Sequence, residues 1–337
     1  MRILIGIAAV AAFCATTSVA SSATINIMTA SKGGNYNTVI CPAIVDHIAK
    51  AGISGKCIPS AGSGENFNVV YNSGGDTVGL TQMDAFGLKT AGSGIEDPDE
   101  REMFVEDAEE AMGSLGFIVG ESLFCAAKKG GRVPEQASWA ILNDDEPMSD
   151  PFVISTYEEG SGPSLTLGFL QDSFPSFGRN TEIMYKENMK FEVELNRLRA
   201  GKRDMVCWVT MANPEDSRLV AVVESDDLFL VPFDSPELAN VKIGTVPAYS
   251  VFDVAVSGSI WDLFGAGETV TTITTGVSVA INVDELDGDT YNALVAAVND
   301  EDLIPADGFV GTLLKYQRKA MGTLMDAYKG VEKAVGG

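Results

Sequence analysis

The chain has 337 residues, with 47 Asp and Glu against 23 Lys and Arg and a formal net charge of −24. So acidic a body excludes nucleic acid and anionic lipid as partners, because both would be repelled. One histidine, His47, and the absence of GxSxG and HExxH patterns leave little catalytic equipment, so no enzyme activity, no metal and no cofactor are expected.

The N-terminus reads as an export signal. Met1-Arg2 is a short positive start, 3–15 is an apolar run, and Ser18-Val19-Ala20 supplies small residues at a cleavage site. This predicts a removable secretory signal over 1–20, too short for a comfortable membrane span, and a periplasmic product. The remaining length suggests two lobes. With Cys14 removed, Cys41, Cys57, Cys125 and Cys207 remain, an even number that reads as two disulfides in an exported chain. Three connectivities are open, and pairing within a lobe favours Cys41–Cys57 and Cys125–Cys207.

Strand and helix then alternate. A strand at 24–29 leads through a Gly-rich turn at 31–35 to a helix over 36–51, where Ile40, Ile44, Val45 and Ile48 share one face. A strand at 56–59, a turn at 61–64, a helix at 65–72 and a strand at 77–81 follow. This βαβαβ order predicts a parallel sheet with right-handed crossovers. An acid-rich helix occupies 96–110, and apolar strands at 115–119 and 122–127 carry the chain into a second lobe. That lobe repeats the pattern: strand 152–156, turn 160–164, helix 165–173, strand 181–185, helix 191–200, and strands at 204–210 and 228–231. The Val- and Thr-rich stretch 241–280 returns to the first lobe, and a helix is predicted over 311–335. Lobe 1 therefore takes 21–119 plus 275–337, and lobe 2 takes 120–274.

In sheets of this kind, ligands sit beyond the carboxyl ends of strands. Three Gly/Ser-rich loops occupy such places, at 29–36, 60–66 and 160–164. Glycine admits close approach of a ligand, and free N–H groups at helix starts favour an anion. These loops predict a hinged clamp for a small molecule.

The residues of these loops resemble TAXI family solute receptors of TRAP transporters, a group of periplasmic solute-binding proteins. The likeness lies in Thr29-Ala30-Ser31-Lys32-Gly33-Gly34-Asn35-Tyr36, Ala61-Gly62-Ser63-Gly64-Glu65-Asn66 and Leu80-Thr81-Gln82-Met83-Asp84. It continues through Glu159-Gly160-Ser161-Gly162-Pro163-Ser164, the run Leu198-Arg199-Ala200-Gly201-Lys202-Arg203-Asp204, and 271–283 with Leu286. The sequence departs from the pattern at Ala30, where glycine is usual, and at Pro163, where threonine is common. Ala306-Asp307-Gly308-Phe309 stands where His-Pro-Gly-Ala is usual.

The resemblance implies an α/β, two-lobed type II periplasmic-binding-protein fold, each lobe a mixed sheet flanked by helices, joined by a hinge. It implies a carboxylate-bearing ligand such as glutamate, a 2-oxo acid or a dicarboxylate. Its implied partners are the small-molecule ligand and the membrane subunits of a TRAP permease, with the receptor acting as a monomer. Carried over position by position, the ligand-binding set is Thr29, Ser31, Tyr36, Ser63, Asn66, Gln82 and Asp84 from lobe 1, with Ser161, Ser164 and Trp208 from lobe 2. The residues admit plainer roles too: Ser63, Asn66, Ser161 and Asp84 as helix caps, and Trp208 as core. Asp84 could pair with the ammonium of an amino acid, and no buried arginine stands out as a carboxylate clamp. An ABC-type receptor for phosphate or another oxyanion is the alternative, followed by a sensory ligand-binding protein and a secreted enzyme.

Overall fold

The computed structural model describes residues 24–187, 189–211, 213–243, 246–257 and 268–304. The expected signal at 1–20 and the helix at 311–335 lie outside these residues.

The first lobe begins with β1 (Thr24–Met28), β2 (Ser54–Ile58) and β3 (Thr77–Gln82). All three run parallel, in the order β2-β1-β3. Between β1 and β2 a π-turn at Tyr36–Ile40 feeds α1 (Cys41–Ala49), and α2 (Ser63–Tyr71) links β2 to β3. The expected face of α1 is the buried one: Ile40, Ile44 and Ile48 are fully enclosed with Ile25, Ile27, Val78 and Leu80 of the sheet. After β3 come α3 (Met83–Thr90) and the acidic α4 (Pro98–Ala111), whose N-cap Asp97 accepts hydrogen bonds from the Asp99 and Glu100 amides.

The two strands expected at 115–119 and 122–127 form a single 17-residue strand, β4 (Met112–Lys128). Gly120 and Glu121 do not turn. They stay extended because Gly276 and Thr275 of β12 (Thr269–Asn282) pair with them directly. β12 runs antiparallel to both β3 and β4, so these two long strands belong to both lobes.

Beyond β4 the sheet continues through β7 (Met205–Thr210), β5 (Phe152–Tyr157) and β6 (Thr181–Lys186). β5 is parallel to both its neighbours, with α5 (Ser138–Leu142) before it, α6 (Gly162–Ser173) and α7 (Pro175–Asn180) between β5 and β6, and α8 (Phe191–Arg199) between β6 and β7. α9 (Ser217–Val223) and β8 (Leu228–Leu230) follow, the short β9 (Lys242–Ile243) and β10 (Val246–Pro247) pair with each other, and β11 (Ser250–Ala255) flanks the start of β12. Two apolar clusters, one around Phe177, Trp139 and Phe233 and the other around Trp208, Leu198 and Leu219, fill the second lobe. The order β2-β1-β3-β12-β4-β7-β5-β6 thus sets a parallel wing at each end of a central antiparallel pair. The chain has the expected two-lobed α/β arrangement of mixed sheet flanked by helices, with β4 and β12 making the sheets of the lobes continuous.

The disulfides join Cys41 to Cys57 and Cys125 to Cys207. The first ties α1 to β2, and the second links facing residues of β4 and β7. Cys41 and Cys57 close a loop with a sequence separation of 16, for which the chain-entropy model gives about 3 kcal/mol. Replacing both by serine should lower the unfolding free energy by about that amount in denaturant titration. A loss well under 1 kcal/mol would show that α1 and β2 are held by packing alone.

Candidate functional site

The loops at the carboxyl ends of β1, β2 and β3 meet those after β5 and β7 around a cavity of about 490 Å³. The first lobe contributes Ser31, Tyr36, Ser60, Ser63 and Gln82; the second contributes Tyr157, Glu158, Ser161, Thr210, Asn213 and Arg218; Glu121 of β4 lies in the cavity wall where the lobes join. The fold explains this grouping, since each parallel wing aims its strand ends at the crossing of β4 and β12.

Of the expected ligand-binding residues, Ser31, Tyr36, Ser63, Gln82 and Ser161 line the cavity. Ser63 does not cap α2: its hydroxyl accepts from the Gln82 amide at 3.1 Å, pinning the end of β3 beside the cavity. Ser161 is the N-cap residue of α6 but makes no capping hydrogen bond. The Ser161 Oγ and the Gln82 Nε2 are both buried without a partner among the described residues. A buried polar atom left unpaired costs free energy, so two of them on one cavity wall mark where a polar ligand atom is wanted.

The other five expected residues lie outside the lining of this cavity. Thr29 is fully buried, accepting from Asn37 Nδ2 and donating to the Ile58 carbonyl, both at 3.0 Å. Asn66 is a strut between strands: its amide donates to the Thr29 and Leu80 carbonyls, and its carbonyl accepts from Ser60 Oγ. Asp84 is buried and accepts from Thr166 Oγ1 at 2.6 Å, Tyr249 OH at 3.0 Å and the Ala85 amide. Burial pushes its carboxyl up, with these bonds opposing. Ser164 bonds the Ser161 carbonyl and faces a second hollow of about 510 Å³ beside Lys89, Glu159 and Tyr185. Trp208 points to the opposite side of β7 from the cavity-lining Val209 and packs against Phe191, ring centroids 4.8 Å apart, and Phe124.

The glycine loops also play a part other than the expected one. Gly62 and Gly64 face Gly160 and Gly162 across the lobe boundary, and the Gly64 amide donates to the Gly160 carbonyl at 3.1 Å. A β-carbon on Gly64 would lie 2.5 Å from that carbonyl oxygen, so these glycines let the lobes touch.

Two charged residues escaped the sequence reading. Arg218 supplies the arginine that was not apparent: its Nε and Nη2 grip both Asp216 oxygens, at 3.0 and 2.6 Å, and its Nη1 donates to Tyr157 OH at 3.3 Å. Burial opposes its charge, but Asp216 and Tyr157 hold it protonated. Burial would likewise raise Asp216, yet Arg218 and Thr210 bring its carboxyl below the usual range. Thr210 donates to the second Asp216 oxygen at 3.0 Å, closing a brace between β7 and α9. Glu121 accepts from Tyr36 OH at 2.8 Å. Burial pushes its carboxyl up to about 7 despite that bond, the charge of Asp84 adds to the rise, and Arg218 counters it. A signal for each existed: Glu121 is the one charge inside the apolar run 115–127, and Arg218 follows the carboxyl end of a buried strand.

No family model and no curated protein matches the sequence. Among solved structures, the chain is similar to MatC from Rhodopseudomonas palustris with bound malate, at 13% identity over 90% of this chain and 98% of that one, with a TM-score of 0.45. It is similar to the periplasmic binding protein BugD at 12% identity, covering 93% and 97% of the two chains, with a TM-score of 0.43. Holo ArgBP from T. maritima aligns at 10% identity over 85% of this chain and 93% of that one, with a TM-score of 0.39. Likenesses this loose carry no argument about ligand or role, which rest on the cavity itself.

Proposed function

We propose that the chain is an extracytoplasmic solute-binding receptor of the TAXI type. It captures a small carboxylate-bearing ligand, such as glutamate, a 2-oxo acid or a dicarboxylate, and delivers it to a TRAP-type permease. Lobe 1 (21–119 with 275–337) and lobe 2 (120–274) close over the ligand, and no bond is made or broken in it. No described helix is long and apolar enough to cross a membrane. The observation that carries this reading is the inter-lobe cavity, which Arg218 lines together with Gln82 and Ser161, whose Nε2 and Oγ are unpartnered among the described residues. Arg218 keeps N–H groups beyond those given to Asp216 and Tyr157, and a guanidinium is the side chain best suited to a planar carboxylate. Gln82 from one lobe and Ser161 from the other can then bond the same ligand, so that closure is driven by contacts available only in the closed state.

A second reading, an oxyanion receptor, is favoured by the first turn of α6, which abuts the cavity at Ser161 and Gly162. Pro163 weakens it by removing one of that turn's N–H donors. A thermal-shift screen of the purified protein against amino acids, 2-oxo acids, dicarboxylates, phosphate and sulfate separates the two. A ligand at about 100 times its Kd adds about 2.7 kcal/mol. Stabilisation by one carboxylate class supports the first reading. Stabilisation by phosphate or sulfate alone transfers the assignment to the second, and no shift with any solute removes the carboxylate assignment.

A further inference from the structure

Glu121 lies where the lobes hinge. It follows Gly120, which pairs directly with Gly276 at the crossing of β4 and β12, and it pairs with Thr275. The residue is 9% exposed and lies in the wall of the inter-lobe cavity. Among the described residues, the charged and titratable groups that act on it or share its cavity are Tyr36, Asp84, Arg218, Asp216, Tyr157 and Glu158. Tyr36, from the π-turn before α1, donates its hydroxyl to Oε2. Asp84, from α3, is a second buried carboxyl whose charge reaches it. Arg218, from α9, is committed to Asp216, and Glu158 stands on the cavity's other lip. Among the described residues, no Lys or Arg forms an ion pair with Glu121.

An ionised carboxylate enclosed in the wall of the inter-lobe cavity with a single hydroxyl donor and no ion-paired cation is costly. Parting the lobes would admit water to the cavity and relieve that cost. We propose that closing the lobes takes up one proton at Glu121, so that pH sets the balance between the open and closed receptor. Tyr36 donates to an oxygen of the carboxyl in either protonation state, and the proton resides on the carboxyl itself. The direction follows from burial. The closed-state titration lies above that of a solvated carboxyl, so protonation favours the closed form. That preference is fully present below the open-state value and is lost as pH rises through about 7.

The proposal rests on the clamp reading above, and the test reports the two separately. Small-angle scattering of the free protein from pH 5 to 8 reads lobe closure, while infrared spectroscopy reads the carboxylic-acid carbonyl stretch that Glu121→Gln removes. The expected result is a compact wild type at the acid end that expands towards alkaline pH, in step with loss of that stretch. Glu121→Gln, permanently neutral, should stay compact throughout, and Asp84→Asn should keep the response but move it to lower pH, because a charge that adds to the rise is gone. Tyr36→Phe removes a donor that favours the ionised form, so the transition should move to higher pH. A response identical in wild type and Glu121→Gln, or one abolished by Asp84→Asn alone, would overturn the proposal while leaving the clamp intact. Dimensions unchanged at every pH, and with every solute that raises the melting temperature, would overturn both; the infrared titration would then still place the Glu121 proton.

Discussion

Arg218→Ala should lose at least about 30-fold in affinity for whichever carboxylate stabilises the wild type. Truncating one partner of a buried, hydrogen-bonded charge pair costs roughly 2–5 kcal/mol. Part of that cost falls on the free protein, because Asp216 loses the guanidinium that bonds both of its oxygens. The two contributions separate by pH. The Asp216 carboxyl is held below its usual range, so its stabilising contribution is present at neutral pH and disappears as pH falls through the lowered folded-state value. The gap in melting temperature between wild type and Arg218→Ala should therefore be widest near neutrality and shrink in acid. The affinity loss should remain wherever the ligand stays ionised. Arg218→Lys keeps the charge without the fork that spans Asp216, so it should recover only part of the binding. Unchanged calorimetric affinity in Arg218→Ala would remove the arginine from the site and with it the main support for a carboxylate ligand.

Where local pattern and burial agreed, the sequence was readable. The alternating strands, the buried face of α1 and the meeting of the 29–36, 60–66 and 160–164 loops follow from periodicity and glycine placement, and the cysteine pairing from assigning each pair to one lobe. The expected residues that do not line the cavity share a physical cause. Thr29, Asn66 and Asp84 are polar residues in the right loops, but a closed two-lobed fold leaves backbone carbonyls and hydroxyls of its own to be satisfied there. Asn66 spends its amide on the Thr29 and Leu80 carbonyls, and Asp84 spends its carboxylate on Thr166 and Tyr249. No periodicity separates a polar residue that bonds the scaffold from one that bonds a ligand. The continuity of β4 was hidden for a related reason: Gly120-Glu121 reads as a break in an apolar strand unless Gly276 and Thr275, more than 150 residues away in sequence, are known to pair with it. Arg218 was missed because α9 is short and its arginine follows an acidic stretch, where a solvated ion pair is the ordinary expectation.

Gly64→Ala should move affinity and folding stability in opposite directions. Gly64 lies in the first turn of α2, with a helical backbone that alanine adopts readily, so the substitution should leave the unfolding temperature of the free protein equal or raised. In the closed form, however, the added methyl group would sit 2.5 Å from the Gly160 carbonyl oxygen. That oxygen is backbone, accepts the Gly64 amide, and belongs to a residue at φ +81, so neither side gives way cheaply. Overpacking of this kind costs about 1–3 kcal/mol, and here the cost falls only on the state in which the lobes touch. Calorimetry should therefore show roughly 5- to 150-fold weaker binding of the solute found by thermal shift, and scattering at saturation should show a less compact particle. A parallel fall in affinity and melting temperature would point to damage within the first lobe. Wild-type affinity with raised stability would mean that the Gly64–Gly160 contact is not part of the ligand-bound state, and the closing motion would have to be sought at another pair of surfaces.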